Sequence, residues 1–271
     1  MQESYPYMAS KTLSVLSIDL DYILEPCIND YEELVRVGVP RFIQSSDNNA
    51  GAFERTRYFA KQIDKFAEIS IENLSEIFEV FTHALKTPNK SPWVYFGHNH
   101  DSILNPLKSI VTSEDKIDLI NIDHHHDIFY SPKQQEDVDN HDLVSPADWV
   151  WFLDKNELLN SYIWLSNKNS IIGESIANST ISKKLKIFTT LNDCKKFLPK
   201  KFDLIYVCCS PHWMPPKFLG YFARNRTAYI RNKMRNKPNS LGSIVLWNTI
   251  ESGLYLLGAA ISRGWLKKKK L

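Results

Sequence analysis

The chain has 271 residues, 43% of them hydrophobic and 24% charged, and its 33 basic and 31 acidic side chains leave a formal net charge of +2. That is enough chain to bury a sizeable core in one α/β domain over residues 1–271, and too even a balance to demand nucleic acid or an acidic membrane as partner. No apolar run approaches the roughly 20 residues that span a bilayer, residues 1–11 lack a secretory pattern, and Cys27, Cys194, Cys208 and Cys209 form no Cys-x-x-Cys pair, so a cytoplasmic protein without disulfides is expected.

The first strand is expected at residues 12–21, TLSVLSIDLD, a β-prone run that closes on Asp19 and Asp21. Alternation along a strand points both carboxylates the same way. Residues 40–51 are polar and read as a loop that could overhang a pocket, and residues 58–85 carry apolar side chains at helical spacing, predicting two helices with a break near Ser70. Residues 93–101, WVYFGHNHD, predict a strand that runs through Gly97 into His98 and His100. Gly97 lets the backbone come close to a site; His100 reads either as a nitrogen ligand or as a cap on the turn that follows.

Residues 119–127, LINIDHHHD, carry the strongest signal. An apolar strand ends in five consecutive ionisable residues, with Asp123, His125 and Asp127 spaced to share a face. Burying such a set is costly unless a cation compensates it, and carboxylate with imidazole suits manganese, with zinc or iron as alternatives. Residues 130–140 are polar and predict a surface loop; His141 after them is either a proton shuttle or a loop histidine. A buried helix is expected around Trp149, short strands at 162–165 and 185–188, and a sixth strand at 202–209, followed by a rigid turn in which His212 and Trp213 either wall a pocket or pack the loop. Residues 217–236 are basic and aromatic, and residues 251–265 predict a closing amphipathic helix. Strands alternating with helices imply a mostly parallel sheet flanked by helices, and functional groups of such sheets gather at the carboxyl ends of the strands. There, Asp19, Asp21, His100, Asp123, His125 and Asp127 would supply six ligands for a pair of divalent ions about 3.5 to 4 Å apart, a hydrolytic arrangement.

The blocks Ser17-Ile-Asp19-Leu-Asp21, Gly97-His-Asn-His100 and Asp123-His-His-His-Asp127 resemble the metal-binding signatures of the arginase and agmatinase superfamily. Together with Asp101, Asp148-Trp149, Ser210-Pro211 and Pro215-Pro216, they are most similar to an arginase-like family that includes peptide arginases, which convert arginine side chains of ribosomally made precursor peptides to ornithine and urea. The resemblance implies a three-layer α/β fold, two Mn2+ ions, and a circularly permuted chain, because the Asp-x-Asp strand comes first here and after the other two motifs in ordinary arginases. It places Asp19, Asp123, His100 and Asp127 on one ion and Asp19, Asp21, Asp123 and His125 on the other. His141 becomes the candidate proton donor, and His98, Asp148 and His212 the candidates for substrate contact. An arginine-containing precursor peptide is the expected partner, with a homo-oligomer as an option. The rival readings are a ureohydrolase of free arginine or agmatine, a metal-containing module that binds peptide without turning it over, and a single-metal deacetylase-like hydrolase.

Overall fold

Six segments are rich in apolar side chains, and four of them, at residues 12–19, 116–123, 159–166 and 204–208, are apolar on both faces over most of their length, the pattern of strands covered on both sides. A computed structural model, describing residues 10–26, 67–85, 92–97, 99–170, 176 and 179–210, joins all six in one sheet. In chain order the strands are β1 (Thr12–Asp19), β2 (Leu24–Pro26), β3 (Ala67–Ile69), β4 (Trp93–Phe96), β5 (Lys116–Asp123), β6 (Leu159–Ser166), β7 (Leu185–Phe188) and β8 (Leu204–Cys208). The main sheet runs β4-β8-β1-β5-β6-β7 with every pair parallel, and β2 pairs with β3 in a separate antiparallel ribbon. Ile69 therefore sits in a short strand, ahead of a helix α1 (Ile71–Leu85). Phe59, Ile63 and Phe66, expected in a preceding helix, lie outside the described residues, as do the expected loop at 40–51, His98, His212 and everything after Ser210.

One face of the sheet presents Leu16, Ile18, Ile120, Ile122, Ile163, Leu165, Ile205 and Val207 to α1, whose Leu74, Ile77, Val80, Phe81 and Ala84 are buried against them, and to α5 (Leu191–Cys194). The other presents Leu13, Val15, Ile117, Leu119, Tyr162, Trp164, Leu204 and Tyr206 to α2 (Leu104–Ile110) and α4 (Trp149–Lys155). Helix, sheet and helix thus form three layers. Between β5 and α4 lies α3 (Pro132–His141), where the sequence reading expected a loop. Its polarity hid it, since only Val138 is buried. What makes it a helix is its start: Ser131 Oγ accepts from Gln134 N at 3.3 Å and Pro132 fills the first turn, a cap that needs no apolar stripe.

The connectivity fixes where a site can form. After β1 the chain next enters the main sheet at β4, on one side of β1, whereas β5, on the other side, leads on to β6 further out. The carboxyl ends of β1 and β5 therefore flank the point where the winding reverses, the usual location of a functional crevice. Asp19 and Asp123 close those two strands side by side, one step beyond the paired Ile18 and Ile122.

At the end of β4 the backbone turns at Gly97, whose N–H donates to Val207 O at 2.9 Å. A Cβ here would overlap the Tyr206 hydroxyl, and that hydroxyl donates to Asn99 O at 2.6 Å, holding the turn that delivers His100. Gly97→Ala must displace Tyr206 and with it the turn. It is expected to cost about 1–3 kcal/mol in denaturant unfolding, the range for overpacking a filled interior; an unchanged midpoint would contradict the contact.

Candidate metal centre

Six ionisable side chains from three separate segments converge at that reversal. Asp19 comes from the end of β1 and Asp21 from the 3-10 turn Leu20–Ile23 after it; His100 opens the 3-10 turn His100–Ile103; Asp123 ends β5, with His125 and Asp127 in the bend beyond. Asp19, Asp21, His100, Asp123 and Asp127 are each no more than 3% exposed.

Asp123 is the hinge of the arrangement. Its Oδ2 lies 3.0 Å from His100 Nδ1, and its Oδ1 lies 3.7 Å from His125 Nδ1. On the first side, His100 Nδ1 also stands 2.7 Å from Asp127 Oδ2 and 3.6 Å from Asp19 Oδ2. On the second, His125 Nδ1 stands 3.0 Å from Asp21 Oδ2. Two three-donor groups follow, His100-Asp123-Asp127 and Asp21-Asp123-His125, each with its ligand atoms within 4.8 Å of one another and sharing one carboxylate. A third group, Asp19-His100-Cys208, adds a thiol that the sequence reading did not assign to the site.

The bend after β5 replaces simple strand alternation. His125 N donates to Asp123 Oδ1 at 2.8 Å, and Asp127 adopts a left-handed φ of 51°, a conformation Asp tolerates better than most residues. This swings His125 and Asp127 to the two sides of Asp123. His126 turns away, stacked on Tyr130 with its Nδ1 accepting from Ile128 N at 3.1 Å. Burial, then the His125 charge, depresses His126 to about 4 and His124 to about 3, so both are neutral at pH 7.

Neighbouring residues fix the ligands. Ser17, two before Asp19 on the same face of β1, lies 2.6 Å from His100 Nε2. With Nδ1 as the ligand atom, Nε2–H donates to that hydroxyl, which sets the tautomer. Asn121, two before Asp123 on β5, donates to Asp123 Oδ2 at 3.2 Å, and Trp149 Nε1 donates to Asp127 Oδ2 at 2.7 Å. Ser210 Oγ donates to Asp19 Oδ2. Ser17 and Asn121 were visible in the sequence as polar positions on strand faces that are otherwise apolar; Cys208 became visible only with the pairing that sets it beside Asp19.

Burial and mutual crowding set the charge states of these groups. Burial, then the Asp123 charge, pushes Asp127 up to about 8. Burial with Asp19 and Asp123 nearby holds Asp21 well above the usual carboxylate range, and burial with Asp123 raises Asp19. For Asp123 burial acts upward but the two imidazoles prevail, so it stays ionised. Burial opposes charging of the imidazoles, yet Cys208, Asp127 and Asp123 around His100, and Asp21 and Asp123 around His125, raise both. Asp21 Oδ2 is buried and accepts no hydrogen bond, although His125 Nδ1 is within 3.0 Å. A buried oxygen and an imidazole nitrogen converging at that distance are placed as two ligands of one ion would be. The residues fit a divalent metal.

The other candidate positions lie elsewhere or are differently engaged. His141 is the exposed last residue of α3, and the hydrogen bonds that hold the cluster do not include it. Asp148 is buried just before α4 with both oxygens taken by Ser145, at 2.7 Å from its N–H and 2.6 Å from its hydroxyl. Cys194, Cys208 and Cys209 are free thiols, and no described helix is long and apolar enough to cross a membrane. The chain is an α/β protein with buried Asp/His clusters that could hold a metal ion; no protein-family model, curated protein or solved structure matches it.

Metal binding should release protons. At pH 7 the metal-free Asp127 carboxyl, raised to about 8, holds its proton, and His100 and His125 are raised toward their charged forms; a cation takes only the carboxylate and the free imidazole nitrogen. Calorimetric titration at pH 7 in buffers of different ionisation enthalpy is expected to show proton release. The Asp127 contribution fades as pH rises past about 8. Buffer-independent heats would contradict this assignment.

Proposed function

We propose that the chain is a dinuclear-metal hydrolase that converts arginine side chains of a precursor peptide to ornithine and urea. The observation that carries it is the division of the Asp123 carboxylate, one oxygen toward each of two imidazole-and-aspartate groups. A single metal would not need that division, whereas Asp123 with His100 and Asp127 on one side, and with Asp21 and His125 on the other, would hold two divalent ions. The ligand types agree with the arginase-like resemblance, whereas the motif order departs from that of ordinary arginases; on that resemblance the fold is a circularly permuted arginase-like one and the ions are manganese, and the cysteine usage points to the cytoplasm as the setting.

When bound, two divalent ions supply an activated water at neutral pH and Lewis-acid stabilisation of developing negative charge. The chain's own residues do the rest. Asp123 sets the relation of the two positions, while Ser17 and Asn121 keep His100 and Asp123 from rotating. Trp149 of α4 and Trp164 of β6, both fully buried, border the site and donate Nε1–H bonds to Asp127 and, at 3.0 Å, to the Asp123 carbonyl. Four carboxylates would neutralise two divalent ions, so the loaded centre would not repel a cationic group such as guanidinium. His141 is the candidate that protonates the departing amine; its exposure lets it exchange protons with solvent.

The test is to incubate metal-loaded protein with an arginine-containing precursor peptide and, separately, with free arginine and agmatine, measuring urea and peptide mass. A loss of about 42 Da per arginine, the CN2H2 unit removed by hydrolysis, from the peptide alone is the expected result. Urea from the small guanidino compounds alone would replace the peptide with a small-molecule substrate. No urea from any of them, with metal bound, would overturn the hydrolase.

A further inference from the structure

We propose that Cys208 is a metal ligand, completing the His100 side of the centre with a thiolate and biasing that position toward zinc, cobalt or iron and away from manganese. The inference rests on the dinuclear reading and replaces, at this one position, the manganese that the resemblance implies.

Three neighbouring strands end at the same level, with Cys208 of β8 in register with Asp19 of β1, and Asp19 one step past the Ile18–Ile122 pair and so level with Asp123 of β5. In a parallel sheet, side chains in register project to the same side, so thiol and carboxylates form a row along the ends of the three strands. The Cys208 sulfur, an Asp19 oxygen and a His100 nitrogen lie within 4.8 Å of one another. His100 belongs also to the group with Asp123 and Asp127, so the sulfur lies beside the same imidazole that those carboxylates approach. Cys208 is fully buried, with no exposed surface. A buried thiol is ordinarily walled by apolar side chains; this one adjoins a carboxylate and an imidazole already committed to ligand geometry.

The sulfur chemistry follows. As the ion enters, the Cys208 S–H bond breaks, its proton passes to solvent, and the sulfur lone pair forms the bond to the metal. Thiolate selects softer ions, whereas carboxylate and imidazole alone leave manganese competitive. With the four aspartates and the thiolate ionised, the centre carries one negative charge beyond what two divalent ions neutralise, which suits a cationic substrate. Asp21 and His125 have no sulfur in their group, so the two positions differ in hardness and would sort unlike metals.

The test uses the full chain loaded with Co(II) under anaerobic conditions. A near-ultraviolet sulfur-to-cobalt charge-transfer band is expected in the wild type, absent in Cys208→Ser although cobalt still binds. That variant is expected to lose zinc affinity by about 100-fold while its manganese affinity changes by less than about 10-fold. Should Cys208→Ser fail to fold, X-ray absorption at the zinc edge of the wild-type protein decides the matter: sulfur among the ligands supports the inference, and nitrogen and oxygen alone overturn it. Cobalt bound without the band, or a band that survives Cys208→Ser, also overturns it, and urea release in the same samples would leave the hydrolase standing. The band without urea from any guanidino compound would keep the thiolate and remove the hydrolase. Wild-type protein that takes up no cobalt or zinc overturns both.

Discussion

One carboxylate organises this protein. Asp123 is fully buried at the end of the sheet's innermost seam and remains ionised only because an imidazole stands at each of its oxygens. A charge in that position is costly unless it is matched and hydrogen-bonded. The surrounding structure is arranged to meet that condition: Asn121 donates to Asp123 from below, Trp164 holds its carbonyl, and the His125 N–H holds its other oxygen. Around it, Asp19, Asp21 and Asp127 add more negative charge than two imidazoles can balance. A metal-free centre relieves the excess by protonation, as the raised Asp19, Asp21 and Asp127 indicate. Divalent cations relieve it without giving up the ligand geometry.

The fold earns its place as a platform for that charge. Six parallel strands with apolar side chains on both faces make a rigid floor, and the reversal between β1 and β5 opens the crevice where two aspartates close adjacent strands. Below them, the same-face positions change from polar Ser17 and Asn121 to apolar Val15 and Leu119. This short transition lets the site be polar at its rim and dry beneath. Tyr206 and Gly97 extend the scheme sideways, one supplying the hydroxyl and the other the space that positions the His100 turn.

Much of this was legible in the sequence because apolar runs and clustered ligands are local signals. All six main strands were expected near where they occur, and so was the helix at Trp149. The convergence of Asp19, Asp21, His100, Asp123, His125 and Asp127 followed from placing three strand ends at one sheet edge. Other features were not local. The helix ending at His141 has no apolar stripe and depends on a cap. His125 and Asp127 reach Asp123 through a bend with a left-handed residue, not through strand alternation. Cys208 joins the centre through a register that no single segment encodes, and Asp148 proved to be held by its own neighbour, Ser145.

Two ions sharing the Asp123 carboxylate is the central claim, and anomalous diffraction from a crystal grown with transition metal tests it most directly. The account predicts two anomalous peaks per chain, one beside His100 and one beside His125, with Asp123 between them. A single peak, peaks away from these residues, or none in a crystal grown with excess metal would contradict it.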